Sequence, residues 1–239
     1  MARSPSRRAP ARAVGVLATV LALTAMPFAL VLAPPERVQG QAQRLMYLHL
    51  PSAWTAFAAF GVVSVASAWV LLRGSRRADA VARAAAELGV AMTALTLAEG
   101  SIWGHAAWGV WWAWDPRLVT TAFLLLGYVG YLALRALPGD EARVRRRAAV
   151  AGLVLVVQVP VVHFSVLWWR TLHQPPTLLQ PDLPPPIAPM MLLTLLLAVA
   201  AFTAGGGWFV LRRAATLQHT ATTAMQTAGP VPGRALERA

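Results

Sequence analysis

The sequence predicts an all-α, polytopic integral membrane protein: a bundle of six transmembrane helices with both termini cytoplasmic. Three observations carry this. Of 239 residues, 57% are hydrophobic and only 13% are charged, against about 25% charged in a soluble domain. The apolar residues gather into six runs, each of about 20 residues, the length that crosses a bilayer as a helix. The basic residues, all arginine, crowd into alternate loops. Backbone groups in hydrocarbon need internal partners, which favours helices, and no stretch shows the period-two alternation of a membrane barrel.

Residues 1–13 are rich in Arg, Pro, Ser and Ala and read as a disordered cytoplasmic tail. The run 14–33 follows this basic stretch as a signal peptide would. At about 20 residues it exceeds the h-region of about 7–15, so an uncleaved first span is expected. The second span is 52–72. The third, 84–103, carries Glu87 near its inner end and Glu99 near its outer end. Acids within a span usually face the bundle interior, although Glu87 is placed where it can simply snorkel. The fourth span, 118–137, is announced by Asp115-Pro116, a cap followed by a residue favoured at the first helical position. Spans at 148–167 and 187–211 complete a membrane domain of 14–213. Residues 214–239 read as a polar, disordered cytoplasmic tail.

Seventeen of the 21 arginines lie in the two tails and in the loops after spans two and four. Arg37, Arg44, Arg117 and Arg170 lie in the other loops. Positive charge stays cytoplasmic, so segments 34–51, 104–117 and 168–186 are expected to face outward, in the periplasm of a bacterial inner membrane. The net charge of +12 thus reads as a topology signal, with no nucleic-acid partner implied. There are no cysteines, so disulfides and thiolate ligands are excluded and any thiol chemistry falls to a partner. No P-loop, H-E-x-x-H, G-x-S-x-G or GxGxxG pattern is present.

The outward segments hold the unusual chemistry. Residues 103–117 contain Trp103, Trp108, Trp111, Trp112 and Trp114, half of the chain's ten tryptophans. An aromatic belt would distribute them around all the helix ends, whereas concentration in one segment suits a large, flat, apolar ligand. Trp108, Trp111 and Trp112 stand at i, i+3 and i+4, the spacing of one face of an interfacial helix. Gly104 and Gly109 are expected to let something planar approach the backbone. Asp115 is open to capping the next helix or to pairing with Arg117, and Arg117 is equally open to a ligand carboxylate. His49, in Arg44-Leu-Met-Tyr-Leu-His49, and His173, in Trp-Trp-Arg170-Thr-Leu-His173, are expected in outer loops on either side of this platform. Imidazole is a standard axial ligand of haem iron. Two of them saturate the iron, which suits holding or handing over haem rather than oxygen chemistry. His105, His163 and Glu99 have no assigned role, and His219 has none.

Trp-Gly-His-Ala-Ala-Trp-Gly-Val-Trp-Trp-Ala-Trp-Asp-Pro-Arg-Leu resembles the WWD signature of the haem-handling family of cytochrome c biogenesis. Arg-Leu-Met-Tyr-Leu-His-Leu-Pro and Ser-Val-Leu-Trp-Trp-Arg-Thr-Leu-His-Gln are similar to the histidine segments of its six-span branch, the C component of the cytochrome c maturation system. The resemblance covers about residues 40–210. Pro116 stands where the family more often has Ala, a substitution that a first helical position tolerates. The resemblance implies haem b held by His49 and His173 as axial ligands, with the Trp segment at the haem edge and at the contact with a haem chaperone, component E. It also implies ABC transporter subunits, components A and B, and a small membrane subunit, component D, as partners, and no catalytic residues. Propionates are expected to meet water or one of Arg44, Arg117 and Arg170. A haem transporter across the membrane and a cytochrome b-like electron-transfer subunit remain as alternatives. The first lacks a broken-helix pair, and the second lacks paired histidines within the bundle.

Overall fold

The computed structural model describes residues 8–174 and 187–227, all helix or connecting segment. Among these residues, six helical stretches are long and apolar enough to cross a membrane, so the expected six-span, all-α architecture holds. Helix α1 (Arg8–Pro27) ends in a wide π-turn, Phe28–Leu32. A 3₁₀ turn, Gln41–Leu45, leads into α2 (Met46–Arg73). Then come α3 (Arg76–Trp108), α4 (Pro116–Leu134), α5 (Glu141–Leu155), α6 (Gln158–Trp168) and α7 (Pro189–Thr227).

The fifth span is two helices, α5 and α6, where hydropathy implied one. Pro160 has no N–H to offer the carbonyl of Val156 four residues back. The amide of Val159 takes that carbonyl instead, at 3.0 Å, in a tightened turn. Gln158 reaches across from the break and donates to the carbonyl of Thr120 on α4 at 3.3 Å. Hydropathy averages over a window and cannot register one missing donor.

Two further boundaries move. Helix α1 includes residues 8–13, expected in the N-terminal tail. Helix α7 runs on from Ala214 to Thr227, where a disordered tail was expected. Residues 214–227 contain no Gly or Pro to stop the helix. Ala214 is buried against Ala80 and Ala84 of α3, which gives this extension a packing partner. The remainder of that tail, residues 1–7, and residues 175–186 of the third outer segment lie outside the described residues.

Without a hydrophobic drive between helices in lipid, close approach rests on small side chains. Ala56, Ala85, Ala86 and Ala148 supply them in the central core, where Phe60 of α2 stacks on Tyr128 of α4 at 3.6 Å between ring centroids. Gly89 of α3 faces the same ring, and a β-carbon there would run into Phe60. Phe60 and Tyr128 are both fully buried, so the ring has nowhere to retreat. Gly89→Ala is therefore expected to cost about 1–3 kcal/mol by overpacking, read as a lowered thermal midpoint of the detergent-solubilised chain. An unchanged midpoint would sink this account of the core. At the periphery, α1 leans on α7, where Gly15 lies under the Trp208 ring.

The acid on the first turns of α3 is a structural element. Glu87 receives the guanidinium of Arg213 (Nε–Oε2 2.5 Å) and that of Arg83 (3.2 Å), tying α3 to α7. At the opposite end of the bundle, Arg44 donates to the carbonyls of Ala29 (2.6 Å) and Ala33 (2.8 Å). These groups lie at the C-terminal end of the first span, where carbonyls lack intrahelical partners. Arg44 thereby pins the start of α2 to the end of the first span.

Candidate functional site

Helix α3 does not stop at Trp103 but continues to Trp108, and there it ends abruptly. Gly109 adopts φ +76°, a left-handed conformation that closes the helix by donating to the carbonyl of His105 at 3.0 Å. Residues 109–115 are therefore non-helical, and the expected single helical face of Trp108, Trp111 and Trp112 does not exist. Gly109 serves the turn, and the space beside it is open. Gly104 makes room for the Trp108 ring, whose nearest atom would lie 3.2 Å from a β-carbon.

The helix end sorts the five tryptophans into two groups. Trp103 and Trp108, on the last turns of α3, are partly buried. Trp111, Trp112 and Trp114 lie beyond it and are exposed, Trp114 at 85%. Trp111 is stacked on His105 at 4.1 Å and 6° between planes, and Trp112 and Trp114 meet edge to face at 6.0 Å.

Asp115 organises the loop that carries His173. It caps α4, accepting from the amide of Arg117 at 2.9 Å. Its second oxygen accepts from the hydroxyl of Thr171 and the amide of Leu172, each at 2.6 Å. The first oxygen also meets Nδ1 of His173 at 3.0 Å. Burial pushes the Asp115 carboxyl up, but the bonds from Thr171 and Leu172 outweigh it and hold it below the usual carboxylate range. Burial pulls the His173 imidazole below its usual value, aided by Arg117 and opposed by Asp115. A neutral ring beside an ionised acceptor carries its proton on Nδ1 and keeps the Nε2 lone pair for a metal, the arrangement in which a carboxylate orients a ligating histidine. Trp108 and this ring meet edge to face at 5.1 Å and 72°.

His49 lies in the first turns of α2, not in a loop as its sequence position suggested. Helix α2 starts at Met46 because the Gln41–Leu45 turn feeds directly into it. The His49 ring packs over Gly100 of α3, where a β-carbon would stand 3.0 Å from Cε1. Trp103 meets it edge to face at 5.7 Å. Its Nδ1 is buried and has no hydrogen-bond partner. The tryptophans that meet the two imidazoles both stand on the last turns of α3, so His49 and His173 lie at the same end of the bundle. Each histidine thus has its own tryptophan. Trp103 is itself held by Gln39, which accepts from its Nε1 at 2.7 Å.

Beneath His49 is a buried polar cluster of which the sequence flagged only Glu99. Ser52 meets the carbonyl of His49 at 3.0 Å and Oε2 of Glu99 at 2.8 Å, and Thr96 lies 3.1 Å from Ser52 and 2.8 Å from the carbonyl of Met92. Each hydroxyl has one proton and two acceptors in reach: Ser52 donates to Oε2 of Glu99 or to the carbonyl of His49, and Thr96 to Ser52 or to the carbonyl of Met92. Glu99→Gln preserves this pattern and is expected to shift stability by less than about 1 kcal/mol. Glu99→Ala strands a buried hydroxyl and opens a cavity, at about 2–4 kcal/mol. Thermal unfolding of the two variants side by side decides it, and a glutamine as damaging as the alanine would mean that the carboxyl is ionised.

The three arginines considered for a ligand carboxylate differ sharply. Arg44 already clamps the end of the first span. Arg117 donates through one nitrogen to the carbonyl of His163 at 2.9 Å, while its Nε is buried with no partner. Its side chain goes to α6 and does not pair with Asp115 as the sequence allowed; the carboxylate takes its amide instead. Arg170 is exposed. Among the described residues, no group of three or more His, Asp or Glu side chains is gathered to hold a bare metal ion. Two separate imidazoles suit an iron that brings its own equatorial nitrogens.

Comparisons with known proteins point to one family. A family model described as heme exporter protein C matches residues 6–228. Heme exporter protein C of Bradyrhizobium diazoefficiens is 41% identical over 163 residues, 68% of this chain and 62% of the relative. Heme exporter protein C of Escherichia coli K12 is 38% identical over 148 residues, 62% of this chain and 60% of the relative. A putative cytochrome c biosynthesis ccmC-like mitochondrial protein of Marchantia polymorpha is 32% identical over 160 residues, 66% of this chain and 68% of the relative. The match therefore spans about three fifths of the length of the first two relatives.

Proposed function

The chain belongs to the heme exporter protein C family, and on that premise we propose that it binds haem at the outer, periplasmic face of the bacterial inner membrane and delivers it to a haem chaperone for cytochrome c maturation. The observation that carries this reading is the pairing of two partnered histidines at one end of the bundle: His49 against Trp103 and His173 against Trp108. Haem is cargo here, so the residues must hold it firmly yet release it.

The geometry supports a division of labour. His49 is borne on a helix and backed by the Ser52–Glu99 cluster, which makes it the fixed ligand. His173 is borne on a loop tethered through Asp115, which makes it the ligand able to detach. Trp103 and Trp108 present apolar rings to a porphyrin, while the unpaired Nε of Arg117 offers a donor to a carboxylate. Trp111, Trp112 and Trp114 face outward as the surface on which the chaperone docks. ABC subunits and the small membrane component complete the assembly.

The test is the absorbance spectrum of the full chain purified from haem-sufficient cells, followed by mixing with the haem chaperone. The expected result is a low-spin, six-coordinate haem that passes to the chaperone. A preparation that takes up no haem, or holds it five-coordinate, overturns the reading.

A further inference from the structure

A second site lies at the other end of the bundle, in a groove of about 670 Å³ between α4 and α5. Gly127 and Gly130 notch its α4 wall, and Val150, Val154 and Leu155 line its α5 wall. Gly130 has open space where a side chain would stand. Val150 and Val154 are 48% and 65% exposed, so the groove opens toward lipid.

One end of this groove is closed by Arg143, Arg146 and Arg147. Their spacing of three and four residues puts them on the α5 face that continues as Val150 and Val154. The neighbouring Arg145 pairs with Glu141, and Arg135 pairs with Asp79. Arg143, Arg146 and Arg147 make no ion pair among the described residues. From Arg147 to Leu155 the helix rises about 12 Å, close to the roughly 15 Å depth of one hydrocarbon leaflet. Three unpaired cations therefore stand at one end of an apolar groove whose α5 wall is nearly as long as one leaflet is deep.

We propose that this groove seats an acyl chain of an anionic phospholipid whose phosphate is held by Arg143, Arg146 and Arg147. A basic cluster at the mouth of an apolar cleft between spans selects for that combination. A free anion would use the arginines and ignore the groove, and a neutral lipid would do the reverse. The site would brace α4 against α5 at the end of the bundle remote from the histidines.

The experiment is native mass spectrometry of the detergent-solubilised full chain with phosphatidylglycerol, phosphatidylcholine or inorganic phosphate added. Phosphatidylglycerol is expected to bind about tenfold or more tighter than phosphatidylcholine, since each arginine at a membrane surface contributes about a fivefold preference for anionic lipid. R143Q/R146Q/R147Q should erase that preference. G130L should fill the groove and release the bound lipid, at a position with space for the side chain. R77Q/R212Q, an equal kind of charge loss away from the groove, should change nothing. The proposal fails if G130L or the triple variant retains the lipid as the wild type does, or if the control loses it equally. It also fails if inorganic phosphate displaces the lipid, or if the groove proves to be covered by a second copy of the chain.

Discussion

Alanine at His49 or at His173 is expected to strip one axial ligand from the bound iron, converting a low-spin spectrum to a high-spin one and weakening haem retention by about a hundredfold or more. Changing a residue that merely orients a metal ligand already costs about 10–100-fold in affinity, so removing the ligand itself should exceed this. The two variants should differ in detail. His49 packs on Gly100 and Trp103 inside the helix bundle, so His49→Ala leaves a cavity and lowers the thermal midpoint as well. His173 hangs from a loop, and its removal should leave the midpoint nearly unchanged. Added imidazole should restore the low-spin spectrum in both, because it refills the coordination position. Either variant keeping the wild-type spectrum and full chaperone loading would refute the ligand assignment.

Asp115→Asn is expected to weaken haem retention by about 10–100-fold while leaving both histidines in the chain. The carboxylate serves four groups at once: the amides of Arg117 and Leu172, the hydroxyl of Thr171 and Nδ1 of His173. Asparagine has one acceptor oxygen and offers an N–H₂ to whatever the second oxygen used to accept. If the oxygen keeps the helix cap and His173, the amide nitrogen confronts the amide of Leu172, and the 171–173 segment must lift away. If it turns the other way, the His173 proton loses its acceptor and the ring its fixed tautomer. Helix α4 retains a cap in the first case, so the fold should survive at a cost of about 1–3 kcal/mol. The discriminating measurement is haem affinity alongside the thermal midpoint: a loss of stability without a loss of affinity would reduce Asp115 to a structural tether.

The reach of the sequence can be judged from particular residues. His49, His173, Trp103 and Trp108 were legible as candidates, and the fold brings all four to one end of the bundle. Arg44 was legible only as a cation on the outer side, and its actual partners are two carbonyls of the first span. Trp111 and Trp112 were misplaced because helical spacing was extended through Gly109, whose left-handed backbone ends the helix. A glycine inside a periodic pattern reads equally as a tolerated residue or as a stop. Ser52 and Thr96 gave no signal, being small hydroxyls in apolar runs.

The number of spans and their approximate places were determined by the sequence alone, because transfer into hydrocarbon is a sum over about 20 residues and is insensitive to their order. What only the tertiary structure decided is which groups meet. His173 reaches Asp115 across 58 residues of sequence, and Glu99 reaches Ser52 across 47. Such contacts depend on how each helix is rotated and where it stops, and a single missing donor at Pro160 or a left-handed turn at Gly109 changes both. Composition averages those details away, while a hydrogen bond of 2.6–3.0 Å to Asp115 depends on them.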